Sequence, residues 1–284
     1  MIEYMPLYLL TFLWLIFAAV QDMRKREISN WLNFSLLSLG LLYRGIVAID
    51  SGDARVFWIG VGGVIFFMSL AYILYYSRAF AGGDAKLLMA LGAVLPFESL
   101  RDYLFIGVGF VLLLFIVGSI WGLIYTGSVA FGRKKEFSLA FRKESLKYKW
   151  LYFGSFALGL VLSFILWGMG YDYWYLFFVL FAIFPLMYTY AKAVEKSCFI
   201  TLVDARKLTE GDWLVKDVKL RRGLVMKANV HGLNLKEIEL LRKMKKKVLI
   251  KSGVPFAPSF LLAFVIMVFF FLRYKPLSPA FFGL

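Results

Sequence analysis

The sequence predicts an all-α polytopic membrane protein of about eight (six to eight) transmembrane helices, with a small α+β insertion before the last helix. Composition is the first support. Of 284 residues 61% are hydrophobic and the mean hydropathy is +0.75, whereas roughly half of a soluble domain is apolar. Length is the second. Apolar runs at 4–21, 30–49, 56–76, 103–126, 150–169, 173–191 and 255–272 approach or exceed the roughly 20 helical residues that cross about 30 Å of hydrocarbon. A shorter run, 84–95, reaches only about 18 Å at about 1.5 Å per residue. The first run has no basic leader before it and no small-residue cleavage site after it, which predicts a permanent helix rather than a removed signal.

The third support is the placement of polar sequence, which divides the chain into a membrane domain (1–190), a cytoplasmic insertion (191–252) and a C-terminal helix with its tail (253–284). In the insertion, "WLVKDVKL" and "GLVMKANV" read as a hairpin turning at Arg221-Arg222-Gly223. "NLKEIELLRKMKKKVLI" reads as an amphipathic helix with Asn234 as N-cap and Glu237 three residues on. Its run from Lys243 to Lys247 reads as a solvated or headgroup-facing edge. A second polar stretch, 132–150, alternates basic residues with Phe137, Leu139, Phe141 and Leu146 and suits either an interfacial helix or a solvated loop.

The net charge of +15 sits unevenly. With the short run counted as a crossing, 28 basic residues fall on one side and five on the other. The positive-inside rule then places the first set in the cytoplasm, and both termini outside. Anionic lipid headgroups account for such a charge as partners, and nucleic acid is not needed. One cysteine, Cys198, excludes an intrachain disulfide, and one histidine, His231, leaves no Cys/His cluster for zinc, so no metal or cofactor is expected. Both residues read as packing or surface groups.

Apart from Arg44, the interiors of the long runs carry no ionisable group, which argues against a proton-coupled transporter. The acidic residues of interest lie at the cytoplasmic boundaries: Asp22, Glu27 and Asp84. Asp22 ends the first helix and Asp84 begins the fourth, so alternating crossings bring both to one face. Gly82 and Gly83 just before Asp84 allow positive φ or close approach of another backbone, such as an extended substrate. Two carboxylates at one depth can share a proton, the ionised one activating water and the protonated one polarising a carbonyl. Each residue's own helix dipole favours the anion at Asp84 and disfavours it at Asp22, which would make Asp84 the base. The same residues also suit simpler roles, Asp84 as a helix cap and Asp22 as a partner of Arg24, Lys25 or Arg26.

Two stretches resemble the type IV prepilin peptidase family, GxGD membrane aspartyl proteases that include the archaeal preflagellin peptidases. "DMRKREISNW" from Asp22 is similar to the family's first catalytic region, and "GGDAKLLMALGA" from Gly82 to its G-x-G-D region with the trailing Lys86. "GVPFAPSFLLAF" (253–264) resembles the Pro-Phe-x-Pro segment that opens a terminal helix in these enzymes. The resemblance implies catalytic Asp22 and Asp84, with Gly82, Gly83, Lys86 and Glu27 supporting the substrate. It implies an endopeptidase of the cell membrane that removes a short basic leader from pilin-like or archaellin precursors at the cytoplasmic face. Ala81 stands where the family has its first glycine, and no paired CxxC motif occurs, so no methyltransferase activity is expected. A presenilin-like intramembrane protease and a non-catalytic assembly or transport subunit are the alternatives.

Overall fold

A computed structural model describes residues 4–208, 211–219, 225–226, 232–244 and 247–274. The chain forms two compact units, one from residues 1–124 and 254–284 and the other from 125–253. Six helices are long and apolar enough to cross a membrane, and a seventh apolar helix, Ala257–Arg273, is shorter, so the chain is a multi-pass membrane protein.

The first unit begins with α1 (Met5–Lys25), α2 (Asn30–Ser51) and α3 (Arg55–Tyr76), joined by tight connections. Each has one inward stripe. In α1 it is Leu7, Thr11, Leu15, Ala18 and Asp22, at helical spacing, while Leu9, Leu13, Phe17 and Val20 face outward as lipid-facing residues should. The α1–α2 turn is fixed twice. Arg26 adopts the left-handed conformation (φ 59°) and its N–H closes α1 on the Asp22 carbonyl at 2.9 Å. The Gln21 amide then brackets Ser29, donating to its Oγ and accepting its N–H, both at 2.7 Å.

The expected crossing at 84–95 is instead α4 (Gly82–Leu91), only 10 residues and about 15 Å long. It ends inside the protein. Leu87, Leu88, Leu91, Ala93, Val94 and Leu95 are all buried, packed by α2 and α3 rather than by lipid. Closeness to α3 requires glycine on both sides, since a Cβ on Gly63 or on Gly92 would stand 2.4 Å from the other's carbonyl oxygen. Beyond α4, the short α5 (Leu100–Asp102) continues through a π-helical turn into α6 (Gly109–Gly132), one 33-residue rod. The last helix, α11 (Ala257–Tyr274), returns to pack on α1.

The last carbonyls of α4 are closed by the turn that follows, Gly92, Ala93 and Leu95 donating their N–H groups to Met89, Ala90 and Leu91, but that following segment carries its own carbonyls into the core, where no water meets them. Arg44 supplies the donors. Its side chain is 0% exposed, and its guanidinium donates to the carbonyls of Ala93 (2.8 Å), Leu95 (2.5 Å), Phe97 (3.4 Å) and Val56 (3.4 Å). From the sequence, Arg44 stands out only as the one ionisable group inside a long run. Its place on the inward stripe Asn33, Leu36, Gly40, Arg44 explains why the charge faces the core.

In the second unit, α7 (Lys134–Lys147) settles the reading of 132–150 as helix and packs on α9 (Trp174–Val194), which pairs with α8 (Lys149–Gly168). Strands β1 (Ile200–Asp204), β5 (Lys247–Lys251) and β2 (Trp213–Leu214) form an antiparallel sheet in the order β1-β5-β2. The pairing of β1 with β5 was not anticipated, since the two lie more than 40 residues apart in the chain, and the end of the run read as an amphipathic helix, residues 247–250, is this strand rather than helix. The expected hairpin is present as β3 (Val218–Lys219) against β4 (Val225–Met226), while its turn at Arg221–Gly223 lies outside the described residues, as do His231, Lys245 and Lys246. Helix α10 (Leu235–Lys243) carries the predicted capping box, Asn234 Oδ1 accepting the Glu237 N–H and Glu237 Oε2 accepting the Asn234 N–H, both at 2.9 Å. Cys198 is buried beside Ala130 and Val194.

Replacing Arg44 by Leu leaves buried carbonyls unpaired, at about 1–3 kcal/mol for each such group. Thermal unfolding in detergent should show Arg44→Leu destabilised by at least about 3 kcal/mol, against less than about 0.5 kcal/mol for the exposed Arg101→Leu.

Candidate active site

Asp22 lies in the last turn of α1 and is 6% exposed. Its carboxylate reaches a helix that begins 235 residues later: Oδ2 accepts the backbone N–H of Ala257 at 2.9 Å, and the backbone of Phe256 donates as well. Ala257 is the first residue of α11, so its N–H is one of the donors a helix leaves free at its start. The segment Pro255-Phe256-Ala257-Pro258 produces this geometry. Pro258 suits the first turn of a helix, where no N–H is needed, and the Trp121 indole holds the Pro255 carbonyl at 2.9 Å. Phe256 packs its ring tilted against Phe80 and edge-on to Phe260.

Asp84 is the third residue of α4 and reaches back to the N–H of Ala81, the residue before the helix. Ala81 has φ −74° and ψ 163°, ordinary extended backbone that any residue adopts, so alanine in place of the family's first glycine costs no strain. Nor do Gly82 and Gly83 supply the expected positive φ; both are helical. Nor is the expected close approach seen: a Cβ at Gly82 would meet Tyr75 at 3.7 Å and one at Gly83 would meet Ile28 Cβ at 3.4 Å, ordinary contacts. Two polar links complete the seat. Asn33 Nδ2 donates to the Gly83 carbonyl at 3.3 Å, and Lys86 Nζ donates to Asn30 Oδ1 at 2.7 Å. Glu27 stands exposed on the α1–α2 turn.

The start of α4 is thus packed on residues 28–33, which directly follow Asp22 in the chain, and the negative charge of Asp22 acts on Asp84. Asp84 is pushed up to about 7, first by burial and second by the negative charge of Asp22, against the opposing Ala81 N–H. The dipole argument from sequence weighed each aspartate against its own helix only. The start of α11, with two N–H groups directed at Asp22, is a place for an anion, and the sequence holds no local sign that residues 256 and 257 meet residue 22. Asn33 was also missed, although a single amide in the inward apolar stripe of α2 was a visible signal. Among the described residues no group of three or more His, Cys, Asp or Glu side chains is placed to hold a metal ion.

These features define a polytopic membrane protein with two interacting carboxyls where the ends of α1 and α4 meet. Residues 9–127, which include both aspartates, match the type IV leader peptidase family. Among curated relatives, the prepilin peptidase EppA of Methanothermobacter thermautotrophicus is 39% identical over 98 residues, 33% of this chain and 25% of that protein. The preflagellin peptidases of Methanococcus maripaludis and Methanocaldococcus jannaschii are each 32% identical, over 100 and 82 residues, covering 35% and 29% of this chain and 43% and 35% of theirs. The matches therefore span a quarter to less than half of these relatives' length. No solved structure matches.

The geometry predicts that cysteines introduced at positions 22 and 84, with Cys198→Ser to remove the native thiol, are joined within one chain by a short bifunctional thiol reagent in native membranes. A control pair at 22 and 53, the latter on the α2–α3 connection at the far end of the helices, should stay unjoined. Equal joining of both pairs would contradict the placement of Asp84.

Proposed function

We propose that this protein is a membrane aspartyl endopeptidase that removes the short basic leader from prepilin-like or preflagellin precursors at the cytoplasmic membrane face. The observation that carries the proposal is the Asp84 carboxyl held near the Asp22 charge, which raises its pKa, within the segment that matches the leader peptidase family. The names of the relatives supply the substrate class, a precursor of a pilin or flagellin. The excess of basic residues around the connections that hold both aspartates supports a cytoplasmic site.

In the proposed reaction Asp22, held by the N–H groups that open α11, is the anion and Asp84 carries the shared proton, the reverse of the roles suggested by each residue's own dipole. Asp22 takes a proton from a water molecule as the water oxygen bonds to the scissile carbonyl carbon. Asp84 gives its proton to the carbonyl oxygen, so the tetrahedral intermediate is neutral there. Collapse returns that proton to Asp84, breaks the C–N bond and passes the proton on Asp22 to the leaving amine. One water is consumed and both carboxyls end as they began. A precursor whose hydrophobic helix lies in the bilayer would present the junction with its leader at the level of these helix ends. The exposed Glu27 would offer the basic leader a local counter-charge.

Membranes containing the chain should cleave at least one such precursor at the leader boundary, and Asp22→Asn and Asp84→Asn should each lower kcat by about 10²–10⁴-fold. Cleavage that survives either substitution removes that residue from the pair, and no cleavage by the native chain moves the protein to the non-catalytic assembly role. Because the acid form of Asp84 prevails below about 7, kcat should fall as pH rises through that value. A kcat that stays level well above it would contradict the assignment of the proton to Asp84.

A further inference from the structure

Asn33 is 1% exposed, the one amide on the buried face of α2, surrounded along that face by Leu32, Leu36 and Gly40. Only half of it is satisfied. Nδ2 donates to the Gly83 carbonyl at 3.3 Å, whereas Oδ1 is buried and has no hydrogen-bond partner among the described residues. A buried acceptor without a donor weakens a fold, and leucine, nearly the same size, would avoid the loss at this position. Packing therefore does not account for an amide here.

What Asn33 does hold is the peptide group joining Gly83 to Asp84. That carbonyl lies in the first turn of α4, where backbone direction sets where the Asp84 carboxyl points. Gly83 has no side chain of its own to fix it, and a Cβ there would meet only Ile28 atoms as its nearest neighbours. On the reading of the chain as an aspartyl peptidase, we infer that Asn33 is a positioning residue: by holding the Gly83 carbonyl it aims Asp84 at its partner, at a cost in stability that the free Oδ1 records. It touches neither substrate nor reacting atoms and acts through Asp84.

The inference makes activity and stability move in opposite directions, which a packing role does not. Two isosteric variants test it in detergent-purified full-length chain, with kcat and KM measured on a precursor that the native protein cleaves and thermal midpoints measured alongside. Asn33→Leu removes the donor and the orphaned oxygen together. It should unfold at the native temperature or higher, leave KM within about twofold, and lower kcat by about a hundredfold, the loss that a misplacement near 1 Å brings. Asn33→Asp keeps a donor for the Gly83 carbonyl when its buried carboxyl is protonated. It should be the less stable of the two and the more active. An Asn33→Leu protein that keeps native kcat, or one that loses kcat only in step with its thermal midpoint while Asn33→Asp ranks below it in both, would overturn the inference. Failure of the native chain to cleave any precursor would instead sink the peptidase reading, and this inference with it.

Discussion

The guanidinium of Arg44 on the carbonyls of the segment just beyond α4 is the interaction on which the rest of the first unit depends. The segment after the 10-residue α4 carries carbonyls of its own into the protein interior, and the helix ends there with the negative end of its dipole in an apolar core. A single buried cation answers both. It satisfies Ala93, Leu95 and Phe97 in the segment that follows α4 and ties them to Val56 at the start of α3. With that end secured, α4 can be short. Its start then lies beside the end of α1 and the α1–α2 turn, and Asp84 is delivered to the neighbourhood of Asp22.

Helix α2 is the common bed for this arrangement. Its inward stripe meets α4 at both ends, with Asn33 at the carbonyl of Gly83 and Arg44 at the carbonyls beyond Leu91. Between these two polar contacts the interface is apolar and close. The third participant is α11, which comes from the opposite end of the chain to place its first N–H groups on Asp22. The two carboxyls thus meet different helix starts, Asp22 that of α11 and Asp84 that of its own α4. Asp84, beside the negative charge of Asp22, is pushed up to about 7 by desolvation and by that charge.

Much of this was legible in the sequence because membrane helices announce themselves by length and hydropathy, and because Asp22 and Asp84 are rare carboxylates at helix boundaries. The α10 capping box was legible for a similar reason, since Asn234 and Glu237 act within one turn of chain. Contacts between distant segments were not. Nothing near Asp22 tells of Ala257, nothing near Arg44 tells of Ala93, and β1 and β5 pair across more than 40 residues. At 84–95 apolar length alone left the question open, because a run of Leu and Ala suits the inside of a helix bundle as well as it suits lipid, and only the packing of α2 and α3 around it tells the two apart.

The central claim is that Asp22 and Asp84 share one proton and that it resides on Asp84. Infrared spectroscopy of the purified chain at pH about 6, where free carboxylic acids are ionised, tests it most directly through the C=O stretch of a protonated carboxyl. Difference spectra between the native chain and each single variant should assign one such band that Asp84→Asn abolishes and Asp22→Asn retains. A band that Asp22→Asn abolishes while Asp84→Asn retains it would contradict the account.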